Sequence, residues 1–344
     1  MARIVLADDG IVFDGTTPDR RPLGGVESSV VALAEALAAR GHEVRVCNKC
    51  ERAMAHKGVA WTPIGDGLPE TADLYIANRG DKLLTAMPKA RRMVFWIHNP
   101  ASYLMKWRYL SKLWRHKPAI IFIGNVHAAT YPSWAPGGER VVIPYGIPDA
   151  FRTAETAHAP PPPRAIFTSN PLRGLDWLLD LWAARIRPRV PGAELHLFSG
   201  PATYGGTGQA KAGEMERVLD QARKLRPSGV VLREPVPKAT LIEELRASRA
   251  MLYRGDLNET FCLAVGEAQA MGVPAVVQNL GSVVERVIDR RTGVVAVDDD
   301  SFATAAVDIL ANDDTWRRYH ASALASQRSW GWNDAAIAFE ELIN

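Results

Sequence analysis

Long apolar runs are missing from the 344 residues: none approaches the length of a membrane-spanning helix, about 18 residues. Excess charge is missing too. A formal net charge of +3 is too slight to single out nucleic acid as a partner. Three cysteines make no disulfide framework. Cys47 and Cys50 form CNKC, which suits redox chemistry or half of a zinc site; only His42 and His56 lie near enough in sequence to complete four ligands. The plainer reading is two thiols at a strand end, with Cys262 packed at a helix start. The G-x-G-x-x-G fingerprint is absent, which counts against a nicotinamide enzyme. No D-x-D motif falls in the expected loops, and no repeat at spacings of about 20–50 residues stands out. The opening MARIVLADDG has a short apolar run followed by two Asp, which reads as a first strand rather than a signal peptide. A cytoplasmic protein is expected.

What is present suits two domains. The length allows two sizeable cores, and 47% hydrophobic with 23% charged residues is ordinary for a globular chain. Apolar strands are expected at residues 3–7, 42–47, 74–77, 92–97, 120–123 and 141–143. Gly24 and Gly25 open a helix over 28–40 whose Val30, Val31, Leu33, Ala34 and Leu37 form a core-facing stripe. This opening is Rossmann-like. Residues 153–163 end in four prolines, which fit neither helix nor central strand and read as a semi-rigid linker. The expected division is therefore 1–152, a linker at 153–163, a second domain at 164–328, and a closing segment at 329–344. In the second domain strands are expected at 164–169, 194–198, 230–232, 251–253, 274–277 and 292–295. Helices are expected at 177–187, 215–224, 241–248, 302–310 and 314–326.

The most informative stretch is AMLYRGDLNETFCLAVGEAQAMGVPAVVQ, residues 250–278. It reads as strand, polar loop 254–259, helix to about 271, and strand, with the loop at a carboxyl end in a parallel sheet. Glu259 closes the loop and Glu267 lies two turns into the helix. Between them Thr260, Phe261, Cys262 and Leu263 offer backbone N–H groups at a helix start, where phosphate is well received. Two carboxylates flanking such a cradle suit a nucleotide sugar.

ETFCLAVGEAQAMGVPAVV resembles the E-x(7)-E signature of retaining glycosyltransferases of family 4, which have the GT-B fold: α/β, two Rossmann-like domains with parallel sheets facing a central cleft. The likeness covers nearly the whole chain, more strongly in its second half. Gly24-Gly25-Val26-Glu27 is similar to the family's amino-terminal glycine motif, and PYGIP at 144–148 to its strand-end turn. Asn170-Pro171-Leu172-Arg173-Gly174 is similar to the family's R-x(4)-K-G, with Arg173 on the Lys position. The upstream Arg is replaced within Thr168, Ser169 and Asn170, which leaves a second diphosphate-binding cation to be found, Arg254 being one substitute. SWGWND, from 329, matches the family's terminal segment, which crosses back onto the first domain.

The resemblance implies that a sugar passes from a nucleoside diphosphate donor, such as a UDP- or GDP-sugar, to an acceptor hydroxyl in the cleft. Glu259 would hold the donor sugar's hydroxyls and Glu267 the ribose. Arg173 and the N–H groups after Glu259 would take the leaving charge, without metal or cofactor. His98, leaving its strand in WIHNP, would assist at the donor sugar. Gly24 and Gly25 allow close approach to the phosphate or the acceptor, Gly200 forms a small turn against the nucleotide, and Val236 belongs to the loop that holds the base. The glycine-rich 204–208 extends the Gly200 turn as a mobile segment. Asn99, Asn125 and His127 are candidate acceptor contacts.

Residues 102–117, SYLMKWRYLSKLWRHK, mix aromatics with cations. An amphipathic helix touching anionic lipid, a site for a polyanionic acceptor, and an ordinary surface helix with snorkelling cations all fit. A cell-surface polysaccharide, lipopolysaccharide or glycolipid pathway follows from the family, with a glycan or lipid-linked acceptor at the inner face of the membrane. A sugar-nucleotide epimerase and a non-catalytic nucleotide-sugar binding module remain alternatives.

Overall fold

A computed structural model describes residues 1–21, 23–200 and 211–343, so the expected glycine-rich segment 204–208 lies outside the described residues. The chain divides into two compact units, Met1–Gly146 with Gly331–Asn344, and Ile147–Trp330. The division falls slightly upstream of the proline-rich stretch, whose residues belong to the second unit.

Among the described residues the first unit is built on an eight-stranded sheet. Its strands are β1 (Arg3–Asp8), β2 (Glu43–Asn48), β3 (Met54–His56), β4 (Val59–Pro63), β5 (Leu74–Asn78), β6 (Arg92–Trp96), β7 (Ala119–Phe122) and β8 (Arg140–Val142). The order is β3-β4-β2-β1-β5-β6-β7-β8, parallel except for β3 on β4. β5 and β7 are buried along their whole length, as strands covered on both faces must be, which is why they read as unbroken apolar runs. The helix Gly25–Ala39 buries the expected stripe. The carboxy-terminal helix Trp332–Glu340 packs on it, and Glu340 accepts hydrogen bonds from Arg40 (2.8 Å) and His42 (2.8 Å). The hairpin β3–β4 was not expected. It turns through Lys57 and Gly58, both at positive φ, a two-residue turn with a matching twist.

The second unit has six parallel strands among the described residues: β9 (Arg164–Phe167), β10 (Glu194–Phe198), β11 (Val230–Arg233), β12 (Ala250–Leu252), β13 (Ala275–Gln278) and β14 (Gly293–Ala296), in the order β11-β10-β9-β12-β13-β14. The chain runs outward from β9 to β11, then returns to the middle and runs outward the other way from β12. The sheet therefore reverses direction between β9 and β12, and the crevice beyond their carboxyl ends is where open α/β sheets take ligands. The first sheet has the same reversal between β1 and β5. The helix expected at 177–187 is regular over Leu175–Leu181 and widens into a π turn at Trp182–Ile186, where buried Trp182 donates to Ser228 O (2.9 Å).

Gly293 shows how tightly β13 and β14 meet. A Cβ at this position would stand 2.0 Å from the Ala275 carbonyl oxygen on the neighbouring strand. Gly293→Ala is expected to cost about 1–3 kcal/mol through overpacking, read as a lowered urea midpoint; a wild-type midpoint would contradict the contact.

Candidate active site

The residues after β12 gather at the reversal of the second sheet. Gly281, in the turn after β13, has φ 65°, and a Cβ there would lie 2.1 Å from Asp256 O, so only glycine lets the two loops close on each other. Ser282 N then donates to Glu259 O (3.0 Å), pinning the end of the 254–259 loop. The Glu259 carboxylate is 9% exposed. One oxygen accepts from Tyr253 Oη (2.9 Å) and is ion-paired with Arg173; the other accepts from the Cys262 N–H (3.3 Å). Thus the loop after β9 supplies the cation and the residue directly after β12 the phenol that hold one acid. Burial pushes the Tyr253 hydroxyl far up, so it stays protonated and donates. Cys262 has φ 63°, a left-handed conformation unusual for a side chain of its kind, and starts the helix Leu263–Ala270. Its thiol is buried and its pKa raised well above the usual range, so it is no nucleophile.

Glu267 lies inside that helix and is 3% exposed. Both its oxygens accept from Lys238 Nζ, at 2.6 and 2.7 Å. Lys238 begins the helix Lys238–Arg246, immediately after the Pro235-Val236-Pro237 loop. Removing one partner of a buried ion pair strands the other charge, so Lys238 and Glu267 are energetically tied.

Arg254 is held at the same end of the sheet. Its guanidinium lies 4.9 Å over the Trp177 ring, and its Nε donates to Gln278 (3.0 Å). Asp299 completes the chain by accepting from Gln278 (3.1 Å) and Trp177 (3.1 Å). Gly174, at φ 73°, packs against the Arg254 side chain, so Arg173 and Arg254 follow neighbouring strands into the same region. A Cβ on Gly200 would touch Pro235 at 3.4 Å, which places that turn beside the loop carrying Val236. The expected Gly200, Val236, Arg173, Arg254, Glu259–Leu263 and Glu267 thus all belong to the second unit.

The first unit carries its own polar cluster at the β1–β5 reversal. Asp8, ending β1, is ion-paired with Arg79 (3.0 Å), and Arg79 also pairs with Glu27 (2.9 Å). Burial works against the Arg79 charge, but the two carboxylates outweigh it and raise its pKa. A Cβ on Gly24 would lie 2.5 Å from a Glu27 oxygen, so the Gly24-Gly25 start is shaped around that acid. Asn78 donates to Asp8, leaving its oxygen to accept from His98 Nε2, and His98 Nδ1 then accepts from Tyr145 Oη. Burial first, and Arg79 and His127 after it, hold His98 well below its usual pKa. Both of its ring nitrogens are engaged in these hydrogen bonds.

His127 is fully buried, donating to Asn99 O (2.8 Å) and accepting from Ile123 N–H (3.2 Å), so its ring pins two strand ends; Asn125 is exposed at the start of a short helix. Cys47 and Cys50 are free and buried, and no group of three His, Cys, Asp or Glu suited to a metal occurs among the described residues. No helix of the described residues is long and apolar enough to cross a membrane.

Two parallel-sheet α/β units of this kind define a GT-B protein. A family described as Glycosyltransferase Family 4 matches residues 23–190, and one described as Glycosyl transferases group 1 matches residues 163–312. Together the two matches span residues 23–312, so over most of its length the chain is similar to glycosyltransferases of these families. It is 30% identical over 190 residues to a D-inositol 3-phosphate glycosyltransferase of Streptomyces scabiei, a match spanning 48% of this chain and 41% of that one. Across the curated relatives the matches span from 26% to 51% of the relative's length. Sucrose-phosphate synthase from Thermosynechococcus elongatus superposes with TM-score 0.73 at 16% identity, covering 99% of this chain and 98% of that one. Anabaena HepE, solved in complex with UDP-glucose, superposes with TM-score 0.72 at 15% identity, covering 99% and 100%.

Lys238, Tyr253, Asn78, Arg79 and Tyr145 were not picked out from sequence. Lys238 shows in sequence only as a cation directly after PVP at a helix start, which does not reveal its partner.

His127 provides a test by pH. Burial lowers its pKa to about 4 from the ordinary 6.5. The unfolded chain therefore takes up a proton between pH 6.5 and 4 that the folded chain refuses, and stability falls as pH drops through that window, by about 3 kcal/mol in full. The stability advantage of wild type over His127→Gln is expected to shrink from pH 7 to pH 4.5 in urea titrations. A constant difference would contradict a neutral buried imidazole.

Proposed function

We propose that the protein moves a sugar from a nucleoside diphosphate sugar to an acceptor hydroxyl, with retention at the anomeric carbon and without a metal. The observation that carries this reading is the pair of buried carboxylates at the sheet reversal of the second unit, each matched to a cation: Glu259 to Arg173, Glu267 to Lys238. The relatives' names and the UDP-glucose complex of HepE favour a nucleotide-sugar donor.

In this mechanism the donor exchanges contacts that the free protein already satisfies. Arg173 turns from Glu259 to the diphosphate and grips it with paired N–H donors. Glu259, released from the guanidinium but still fixed by Tyr253, takes the hydroxyls of the donor sugar. Glu267 shares its oxygens between Lys238 and the ribose. The amides of residues 260–263 and the cations stabilise the departing diphosphate and the cation-like sugar. The leaving phosphate accepts the acceptor's proton, since no side chain here is built as a base. Gly24 and Gly25 allow the acceptor or the phosphate to approach backbone, and His98 orders its surroundings through Asn78 and Tyr145.

For the acceptor, a glycan or lipid-linked sugar at an anionic membrane surface is favoured by the helix Trp107–His116. Trp107 and Trp114 share one face and are 78% and 71% exposed, and Lys106, Arg108, Arg115 and Lys117 are exposed around them. On this reading the reaction belongs to cell-surface polysaccharide, lipopolysaccharide or glycolipid synthesis on the cytoplasmic side. The name of the Streptomyces relative favours a second acceptor, a phosphorylated polyol.

Thermal-shift screening of UDP-, GDP- and ADP-sugars identifies the donor. With it, Arg173→Ala is expected to add about 2–4 kcal/mol to the barrier, the loss seen when one charge-stabilising donor is removed. Glu267→Ala is expected to weaken binding of the nucleoside diphosphate itself; unchanged affinity would remove Glu267 from the ribose. Lys112 and Arg108 are both paired with Asp81, at 2.8 and 3.6 Å, so the membrane reading is tested with Trp107, Trp114, Lys106 and Arg115 replaced by Ser. Binding to vesicles rich in anionic phospholipid should fall, and undiminished binding would exclude this face.

A further inference from the structure

Arg286 is a cation that none of these roles uses. It ends the turn Gly281–Arg286 after β13, the same turn whose Gly281 and Ser282 clamp the 254–259 loop. From there its side chain runs past Gly266, where a Cβ would lie 4.0 Å from Arg286 Cδ, and its guanidinium carbon comes to rest 4.2 Å from the centre of the Phe261 ring. Phe261 is two residues beyond Glu259, within the stretch assigned to the diphosphate.

Two other arginines drawn into the fold have their charge answered. Arg79 pairs with Asp8 and Glu27, and Arg249 with Asp313 and the carbonyls of Ile309 and Pro161. Arg286 has no such answer. Its Nε is shut off from water without a hydrogen-bond partner, and among the described residues its guanidinium makes no ion pair. Burial lowers its basicity, while neighbouring Glu285 and Cys262 compensate only in part. The face of Phe261 offers a cation–π contact, which an apolar side chain would replace by ordinary packing. A folding role alone therefore gives no reason for a charge here.

We infer that Arg286 supplies the second cation for the donor's diphosphate, reaching the turn at 259–262 from the β13 side as Arg173 reaches it from the β9 side. The inference rests on the donor reading above, and it fills the gap left where Thr168, Ser169 and Asn170 stand in place of an upstream arginine. An anion arriving at this turn would meet two guanidinium groups carried by different elements, Arg286 largely shielded from water and Arg173 partly exposed, and both would stabilise the charge that builds on the leaving group.

The test uses the full chain and the nucleoside diphosphate, from UDP, GDP and ADP, that wild type binds most tightly in calorimetry, together with the matching monophosphate and nucleotide sugar. Arg286→Met preserves most of the packing and deletes the charge; Arg286→Gln serves where the Met variant does not fold. Affinity for the diphosphate is expected to fall about tenfold while monophosphate affinity holds, and turnover to fall about a hundredfold. The thermal midpoint should hold or rise, because an unanswered buried charge has been removed. Arg286→Lys should recover part of the diphosphate affinity. Wild-type diphosphate affinity and turnover in the Met or Gln variant would overturn the assignment, as would equal losses for mono- and diphosphate together with a lowered midpoint. A wild-type protein that binds none of the three diphosphates would overturn the donor reading itself, a result distinguishable because it appears before any substitution is made.

Discussion

A carboxylate taken out of water must find a cation or a set of donors, and the second unit is arranged around two that do. Glu259 and Glu267 are 9% and 3% exposed, and each is paired with a cation from an earlier element of the chain. Stranding a buried charge by removing its partner costs about 3–5 kcal/mol, less here to the extent that Lys238 is half exposed and screened. The ion pairs are therefore poor candidates for surface ornament. Their replacement by apolar residues would serve folding as well, and the proposed function gives them a second use, exchange with a ligand.

Topology explains where those acids stand. Each sheet reverses its strand order once, and each reversal carries a buried polar cluster: Asp8, Arg79, Asn78 and His98 in the first unit, Arg173, Tyr253 and Glu259 in the second. Loops that diverge at such a point leave a crevice that the sheet itself does not fill. The cost shows in the backbone. Arg79 and Cys262 both adopt left-handed conformations beside their clusters, at φ 53° and 63°, the kind of local strain that surrounding contacts must sustain.

Much of this was legible in sequence. Runs such as IVLA, LYIA and AVVQ are unbroken because parallel strands are covered on both faces, and residues 259–267 announce a turn, a helix start and two acids at once. The hairpin β3–β4 escaped because its strands are short and mixed, with Met54–His56 only partly covered. The prolines at 160–163 drew attention as a linker, although compactness divides the chain at Gly146 and Ile147. Lys238 and Arg286 were illegible for a different reason. Nothing local distinguishes an exposed cation from one that will meet Glu267 or Phe261 across the fold. His98 and His127 illustrate the same limit: both follow strands, but one joins a buried relay and the other, in the short helix Asn125–Ala129, donates to Asn99 O.

The central claim is that the two acids and their cations exchange partners with a nucleotide sugar. The most direct measurement is a crystal structure of the protein soaked with the donor selected by thermal shift. The account predicts ribose hydroxyls within hydrogen-bond distance of Glu267, the diphosphate against Arg173, and the Arg173–Glu259 contact opened. A bound donor elsewhere, with both ion pairs intact and the turn at 259–262 empty, would contradict it.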